Sequence, residues 1–244
     1  MDSSGNLVAI VTGGSNGIGA ATAQLLHTND VEVVVLDYEK SSDFDSIQLD
    51  LRDLNSVDIA IDETVNRYGT IDYLVNSAGI SVPSPLAGLS METLRKTMEI
   101  NLEAPIFLMK KVGELMCNQG FGRIVNVSSI HSKLSEVTSI AYDSSKAGLE
   151  AATRTAALEF AKFGVLVNAV SPGFVNTRMS MVDGQPESES DWFRNFYIEN
   201  ERLPLRRSAQ PLEIAELIYW LCSPLNTYVT GQAIAIDGGL SIRF

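Results

Sequence analysis

Short apolar runs alternate along this chain with longer stretches in which apolar positions recur every third and fourth residue. The short runs, rich in valine and isoleucine, predict strands at Leu7 to Thr12, Glu32 to Asp37, Ile47 to Leu49, Ile71 to Val75, Arg123 to Val127, Leu166 to Val170 and Ala233 to Ile236. The three-four spacing predicts helices near Ile18 to His27, Ser56 to Tyr68, Met91 to Gln119, Tyr142 to Lys162 and Pro211 to Leu221. Alternation of this kind predicts an α/β fold, a doubly wound parallel sheet of about seven strands, with right-handed crossovers placing helices on both faces.

No repeat and no linker divides the 244 residues, so residues 1–244 are expected to form a single domain. The one compositional break, the acidic Asp183 to Asp191, leads into Trp192, Phe193, Phe196 and Tyr197, whose spacing puts four rings along one side of a short helix. That helix reads either as an ordinary amphipathic helix on the core or as a lid over a substrate. Thirty acidic against eighteen basic residues give a net charge of -12, which disfavours nucleic acid and anionic membrane surfaces as partners. Two cysteines, no signal-peptide pattern and no apolar run of spanning length point to a reducing, cytoplasmic setting. Asn126-Val127-Ser128 matches the glycosylation sequon but falls in a strand expected to be buried.

The first strand runs straight into Thr12-Gly13-Gly14-Ser15-Asn16-Gly17-Ile18-Gly19 and then a helix. A glycine-rich turn at that junction aims free N–H groups and the positive end of the helix dipole at a pyrophosphate, and the missing Cβ atoms let the backbone approach it. The second strand ends at Asp37, 24 residues after Gly13. A carboxylate there accepts from both ribose hydroxyls and repels a 2′-phosphate, so NAD is expected rather than NADP. No Lys or Arg lies between Gly13 and Gly19 to receive a third phosphate.

Tyr142 and Lys146 stand four apart on a helix and therefore share one face. A nearby ammonium favours the phenolate and is expected to lower the tyrosine pKa, making tyrosine the acid/base and lysine its activator. Ser128 and Ser129 close the fifth strand, where a hydroxyl can hold a substrate oxygen, and periodicity does not choose between them. Asn101 lies four residues before Pro105. Proline has no N–H, so a kink is expected there, with the Asn101 carbonyl left to a water that could start a proton path toward Lys146.

Together these residues resemble the short-chain dehydrogenase/reductase family over nearly the whole chain, which implies a Rossmann-like domain and hydride transfer. Thr12 to Gly19 is similar to the family's glycine motif, with Gly13, Asn16, Gly17, Ile18 and Gly19 facing the cofactor. Asn76-Ser77-Ala78-Gly79 resembles its Asn-Asn-Ala-Gly, with Ser77 as a departure. The resemblance assigns the catalytic tetrad to Asn101, Ser129, Tyr142 and Lys146, the separation of thirteen from the tyrosine selecting Ser129. It also implies that Asp50 and Leu51 meet adenine, that Pro172, Gly173, Val175 and Thr177 lie along the nicotinamide half, and that residues 178–208 form the substrate loop. Gly231 to Gly239 resembles the family's last strand and turn. A homotetramer and a small alcohol or ketone substrate are implied, with no metal. Only 13 residues separate Asp37 from Asp50, too few for the usual helix, so Tyr38 to Ser46 is expected to be a loop or single turn that leaves the adenine side open.

His131 follows Ser129 by two and reads either as a residue at the pocket mouth, favouring a polar or anionic substrate, or as a solvated loop histidine. His27 has no such setting. Phe174 and Met179 read as pocket wall or core filler. The expected reaction is NAD-dependent interconversion of a secondary alcohol and a ketone, the alcohol being a polyol, sugar, diol or hydroxysteroid. The rival readings are an NADP-dependent 3-oxoacyl-type ketoreductase, which Asp37 and the acidic chain disfavour, and a non-catalytic NAD-binding regulator or scaffold, which the intact tetrad disfavours.

Overall fold

A computed structural model of the chain describes residues 6–182 and 184–242; Asp183, the start of the acidic break, lies outside the described residues. The strands are β1 (Val8–Thr12), β2 (Glu32–Asp37), β3 (Asp45–Gln48), β4 (Tyr73–Asn76), β5 (Gly122–Val127), β6 (Val165–Pro172), β7 (Met181–Val182), β8 (Gln185–Pro186) and β9 (Ala233–Ile236). Seven of them form a sheet in the order β3-β2-β1-β4-β5-β6-β9, and every pairing in it is parallel. All seven expected strands are there, and β7 and β8 add an antiparallel hairpin that periodicity is too short to reveal.

The helices are α1 (Gly17–Thr28), α2 (Leu54–Tyr68), α3 (Met91–Met98), α4 (Ala104–Gln119), α5 (Ile140–Phe160), α6 (Asp191–Phe193) and α7 (Pro211–Cys222). They cover both faces of the sheet, which is why the strands read as nearly continuous apolar runs. Side chains alternate across the pleat. Ile10, Val34, Leu36, Ile124 and Val167 pack in one layer with Val57, Ile61, Leu108, Val112 and Met116 of α2 and α4. Ala9, Val11, Val33, Val35 and Val125 pack in the other with Ala23, Leu26, Ile214 and Ile218 of α1 and α7. Each buried Val, Leu, Ile or Met side chain among them contributes about 1.5–3 kcal/mol.

Two features shape the site. β1 pairs with β2 on one side and β4 on the other, so the chain reverses its direction of winding there and a crevice opens at the carboxyl ends of β1 and β4. The β2–β3 connection contains no helix, as its length requires; it is held by Gln48 Nε2 donating to the Tyr38 carbonyl at 2.9 Å and Ser15 Oγ donating to the Glu39 carbonyl at 2.9 Å.

The expected helix from Met91 to Gln119 is in fact three pieces. α3 passes into a π-helical turn, Glu99–Glu103, before α4 begins with Pro105 in its first turn. The widened turn moves the ladder so that the proline's missing N–H falls where a helix has donors to spare. A wide turn centred on Asn101 thus takes the place of a simple proline kink.

Candidate active site

Thr12 ends β1 and accepts hydrogen bonds at its Oγ1 from the N–H groups of Ser77 (3.1 Å) and Ala78 (3.2 Å), fastening the glycine turn to the segment after β4. The turn is glycine for steric reasons visible at two positions. Gly13 has φ +67°, and a Cβ there would stand 2.8 Å from the Ala78 Cα. Gly19 faces the Gly13 carbonyl so closely that no side chain fits. Asn16 precedes α1 without using its side chain as a cap, and the first turn of α1 carries no acidic residue, so its leading N–H groups face the crevice with the dipole's positive end. Gly17, at φ +56°, lies against Thr177, and Ile18 follows it into the helix.

Asp37 sits at the end of β2 beside this turn, its carboxylate accepting from the N–H groups of Ser15 (2.9 Å) and Glu39 (3.1 Å). Asp50 is gripped by the Arg52 guanidinium at 2.5 Å, which holds its carboxyl below the usual range, and Leu51 beside it is buried. Asn76 donates to Asn126 at 2.8 Å, while its own Oδ1 is buried with no partner among the described residues. A strand-to-helix cradle that a Cβ would fill, an uncapped helix start and an orphaned acceptor at the crevice floor fit a dinucleotide.

At the carboxyl ends of β4, β5 and β6 the four expected catalytic residues converge. Asn101 is fully buried; its Oδ1 accepts from Ile80 N–H and its Nδ2 donates to the Ile80 carbonyl, both at 2.9 Å, and to Ser145 Oγ at 3.1 Å. Gly79 separates Asn101 from Lys146, since a Cβ on it would lie 3.4 Å from both Asn101 Oδ1 and Lys146 Nζ. Lys146 Nζ donates to the Val127 carbonyl at 2.8 Å and stands 5.6 Å from the centroid of the Tyr142 ring. The two serines separate cleanly: Ser128 Oγ points to the Lys146 carbonyl (3.4 Å) and Glu150 (3.3 Å), whereas Ser129 Oγ accepts from the His131 N–H at 3.2 Å and lies close enough to Tyr142 to favour its phenolate.

The electrostatics differ from expectation. Burial pushes the Tyr142 phenol up, with Ser129 opposing and the Asp143 carboxylate adding to the rise. Burial also pulls Lys146 down to about 8. Desolvation is thus the largest cause of both shifts, the phenol moving up and the lysine down.

His131 is tied down rather than solvated. Its Nδ1 lies 2.7 Å from Asp143 Oδ1, its Nε2 3.7 Å from Glu136 Oε2, and its ring meets Tyr142 edge-on at 5.6 Å. Asp143, in the first turn of α5, and Glu136, just before that helix, escape a reading by periodicity because their partner His131 sits on a separate turn after β5. Beside them opens a cavity of about 350 Å³ bordered by Leu86, Glu136, Ile140 and Asp143.

Pro172 ends β6 and Gly173 follows it, the Gly173 N–H donating to the Ile236 carbonyl, and Val175 is buried beside Ala209. The chain over residues 184–208 folds back over this segment. α6 continues into a π turn, Arg194–Glu199, and Phe193 and Tyr197 pack on Phe174 at 4.9 and 4.6 Å. Trp192 stacks on Phe196 at 5.4 Å and is half exposed. Trp192, Phe193 and Phe196, together with Phe174, therefore surround Tyr197. Burial pushes the Tyr197 phenol up to about 12, helped by the nearby Glu136 and Glu187 carboxylates. Met179, by contrast, is exposed.

A family model described as enoyl-(acyl carrier protein) reductase matches residues 13–241. The chain is 36% identical over 245 residues to cis-4-hydroxycyclohexanecarboxylate dehydrogenase of Sinomonas cyclohexanicum, covering 95% of each chain. It is 33% identical over 249 residues to a 3-oxoacyl-[acyl-carrier-protein] reductase of Synechocystis, covering 96% of each. The solved structure of an aldohexose dehydrogenase from Thermoplasma acidophilum superimposes with a TM-score of 0.90 at 30% identity, covering 98% of this chain and 96% of that one.

Proposed function

Because the chain belongs to the short-chain dehydrogenase/reductase family, we propose that it is an enzyme interconverting a secondary alcohol and a ketone with NAD as its hydride carrier. The convergence of Asn101, Ser129, Tyr142 and Lys146 at one end of the sheet carries the reading. The turn from Gly13 to Gly19 and the start of α1 would hold the pyrophosphate, with Asn16, Gly17 and Ile18 against it; Asp37 the adenine ribose; Asp50 and Leu51 the adenine. Asn76, Ala78 and Gly79 would form the crevice floor, and Pro172, Gly173, Val175 and Thr177 would line the nicotinamide side. When bound, NAD supplies the hydride acceptor.

Ser129 would orient the alcohol oxygen and Tyr142, reacting as the phenolate, would take its proton. Lys146 keeps a positive charge beside the phenol, and Asn101 holds the turn that places it. Reduction runs the same path backwards. Asp37 favours NAD because a 2′-phosphate would meet its carboxylate.

The pocket mouth supports a neutral substrate. His131 is already paired with Asp143, and Glu136 and Glu187 lie within electrostatic reach of Tyr197. A carboxylate-bearing alcohol or an acidic carrier protein would meet these charges. This weighs against the ketoreductase reading despite the Synechocystis relative, and against an anionic substrate for His131. An oligomer, a tetramer by resemblance, accords with the exposed Leu158 on α5 and Ile106 on α4.

The test is reduced-nicotinamide absorbance with NAD or NADP against neutral polyols, sugars, cyclohexanols and hydroxysteroids, and against 3-oxoacyl esters. Tyr142→Phe should cut kcat at least about a hundredfold while NADH still binds, and Asp37→Ala should shift preference toward NADP. Tight NADH binding with no turnover of any substrate would favour the scaffold reading, and equal use of NAD and NADP by the unaltered enzyme would sink the role given to Asp37.

A further inference from the structure

Glu150 lies on α5 one helical turn beyond Lys146, on the same buried stripe, and is 3% exposed. A carboxylate so deep requires partners. One of its oxygens, Oε1, accepts from three hydroxyls: Ser128 Oγ at 3.3 Å, Ser132 Oγ at 2.5 Å and Ser171 Oγ at 2.7 Å. These donors come from separate places. Ser128 follows the last residue of β5, Ser132 ends the single turn after it, and Ser171 is the penultimate residue of β6.

The order of residues around these hydroxyls gives the arrangement its meaning. Ser129 lies between Ser128 and Ser132, so both flanks of the turn that presents its hydroxyl to Tyr142 are anchored on Glu150. Ser171 directly precedes Pro172 and Gly173, the start of the segment assigned to the nicotinamide side. The neighbouring contacts of α5 continue the pattern. Lys146 Nζ donates to the Val127 carbonyl, and Asn126 Nδ2 donates to Thr153 Oγ1 at 2.8 Å. α5 thus holds the end of β5 at three successive residues, and only Glu150 also reaches β6 through its side chain among the described hydrogen bonds.

We infer that Glu150 is a positioning residue for hydride transfer: a single carboxylate oxygen sets the spacing between the Ser129 turn, which holds the alcohol, and the Ser171-Pro172-Gly173 segment, which holds the hydride acceptor. The inference rests on the dehydrogenase reading. Hydride transfer is sensitive to such spacing, since a shift of about 1 Å in bound geometry can cost up to roughly a hundredfold in rate. Nothing in sequence periodicity marks Glu150 except its place on the buried face, four residues after the lysine.

The experiment uses the full chain with the alcohol it oxidises fastest in the panel above, unlabelled and deuterated at the carbinol carbon. Glu150→Gln keeps the shape but weakens the acceptor. It should lower kcat about tenfold and raise the primary isotope effect on kcat, with the NADH Kd from fluorescence and the melting temperature close to those of the unaltered protein. Ser171→Ala, which cuts only the tie to β6 and threatens folding least, should produce the same signature at smaller size. If both variants turn over at the unaltered rate, or if kcat falls only in step with NADH affinity or melting temperature, Glu150 is structural and the inference is overturned. If the unaltered enzyme oxidises nothing, the dehydrogenase reading itself fails and takes the inference with it.

Discussion

Replacing Lys146 by Met should make the cofactor-free protein more stable while abolishing turnover. Lys146 is 4% exposed, and its pKa falls from 10.5 to about 8 because burial penalises the ammonium. At 1.36 kcal/mol per pKa unit the charged lysine costs the native state roughly 3 kcal/mol at neutral pH. Methionine removes that cost at similar length, but leaves the Val127 carbonyl without its 2.8 Å donor, a loss of about 1 kcal/mol. A net gain of about 2 kcal/mol remains, or roughly 4–8 °C in Tm for a chain of this size.

The pH dependence gives the stricter check. The native lysine loses its proton near pH 8 and the unfolded one near 10.5, so between those values the unfolded chain binds more protons and the stability of the unaltered protein rises with pH. Below pH 8 the penalty is present in full. Urea unfolding of both proteins at pH 7, 9 and 10.5 should therefore show a difference that is largest at pH 7 and shrinks as the pH climbs. A difference that stays constant, or a Met variant less stable at pH 7, would refute the claim that desolvation dominates at this residue.

Two further outcomes test the cradle and the lid. Gly13→Ala should weaken NADH binding and lower stability together, because its φ of +67° disfavours a side chain and its Cβ would stand 2.8 Å from the Ala78 Cα; fluorescence titration and thermal melts read both, and a normal Kd would count against the cradle. Phe193→Ala removes a ring that is 1% exposed and packed on Phe174 and Tyr197. Buried Phe→Ala changes cost about 3–5 kcal/mol, so limited proteolysis should cut within 178–208 faster and substrate KM should rise; unchanged cleavage and KM would argue that this segment is no lid.

The layered architecture was legible in the sequence because its signals are local. Apolar runs such as Val31 to Leu36, the three-four spacing of the helices, the glycines from Gly13 to Gly19 and the four-residue step from Tyr142 to Lys146 lie within a turn or a strand of one another. The 13-residue step from Asp37 to Asp50 likewise forced a loop, since too few residues remain for a helix. Segments distant in sequence decided the rest. Ser128 and Ser129 are equivalent by pattern, and only the meeting of β5 with α5 turns one hydroxyl to Glu150 and leaves the other for Tyr142. A proline at 105 predicts an interruption, but the π turn that buries Asn101 against Ile80 and Ser145 depends on what lies opposite it. The direction of the tyrosine shift depends on how much water the fold removes, a property of the packed molecule that no spacing of charges along the chain contains.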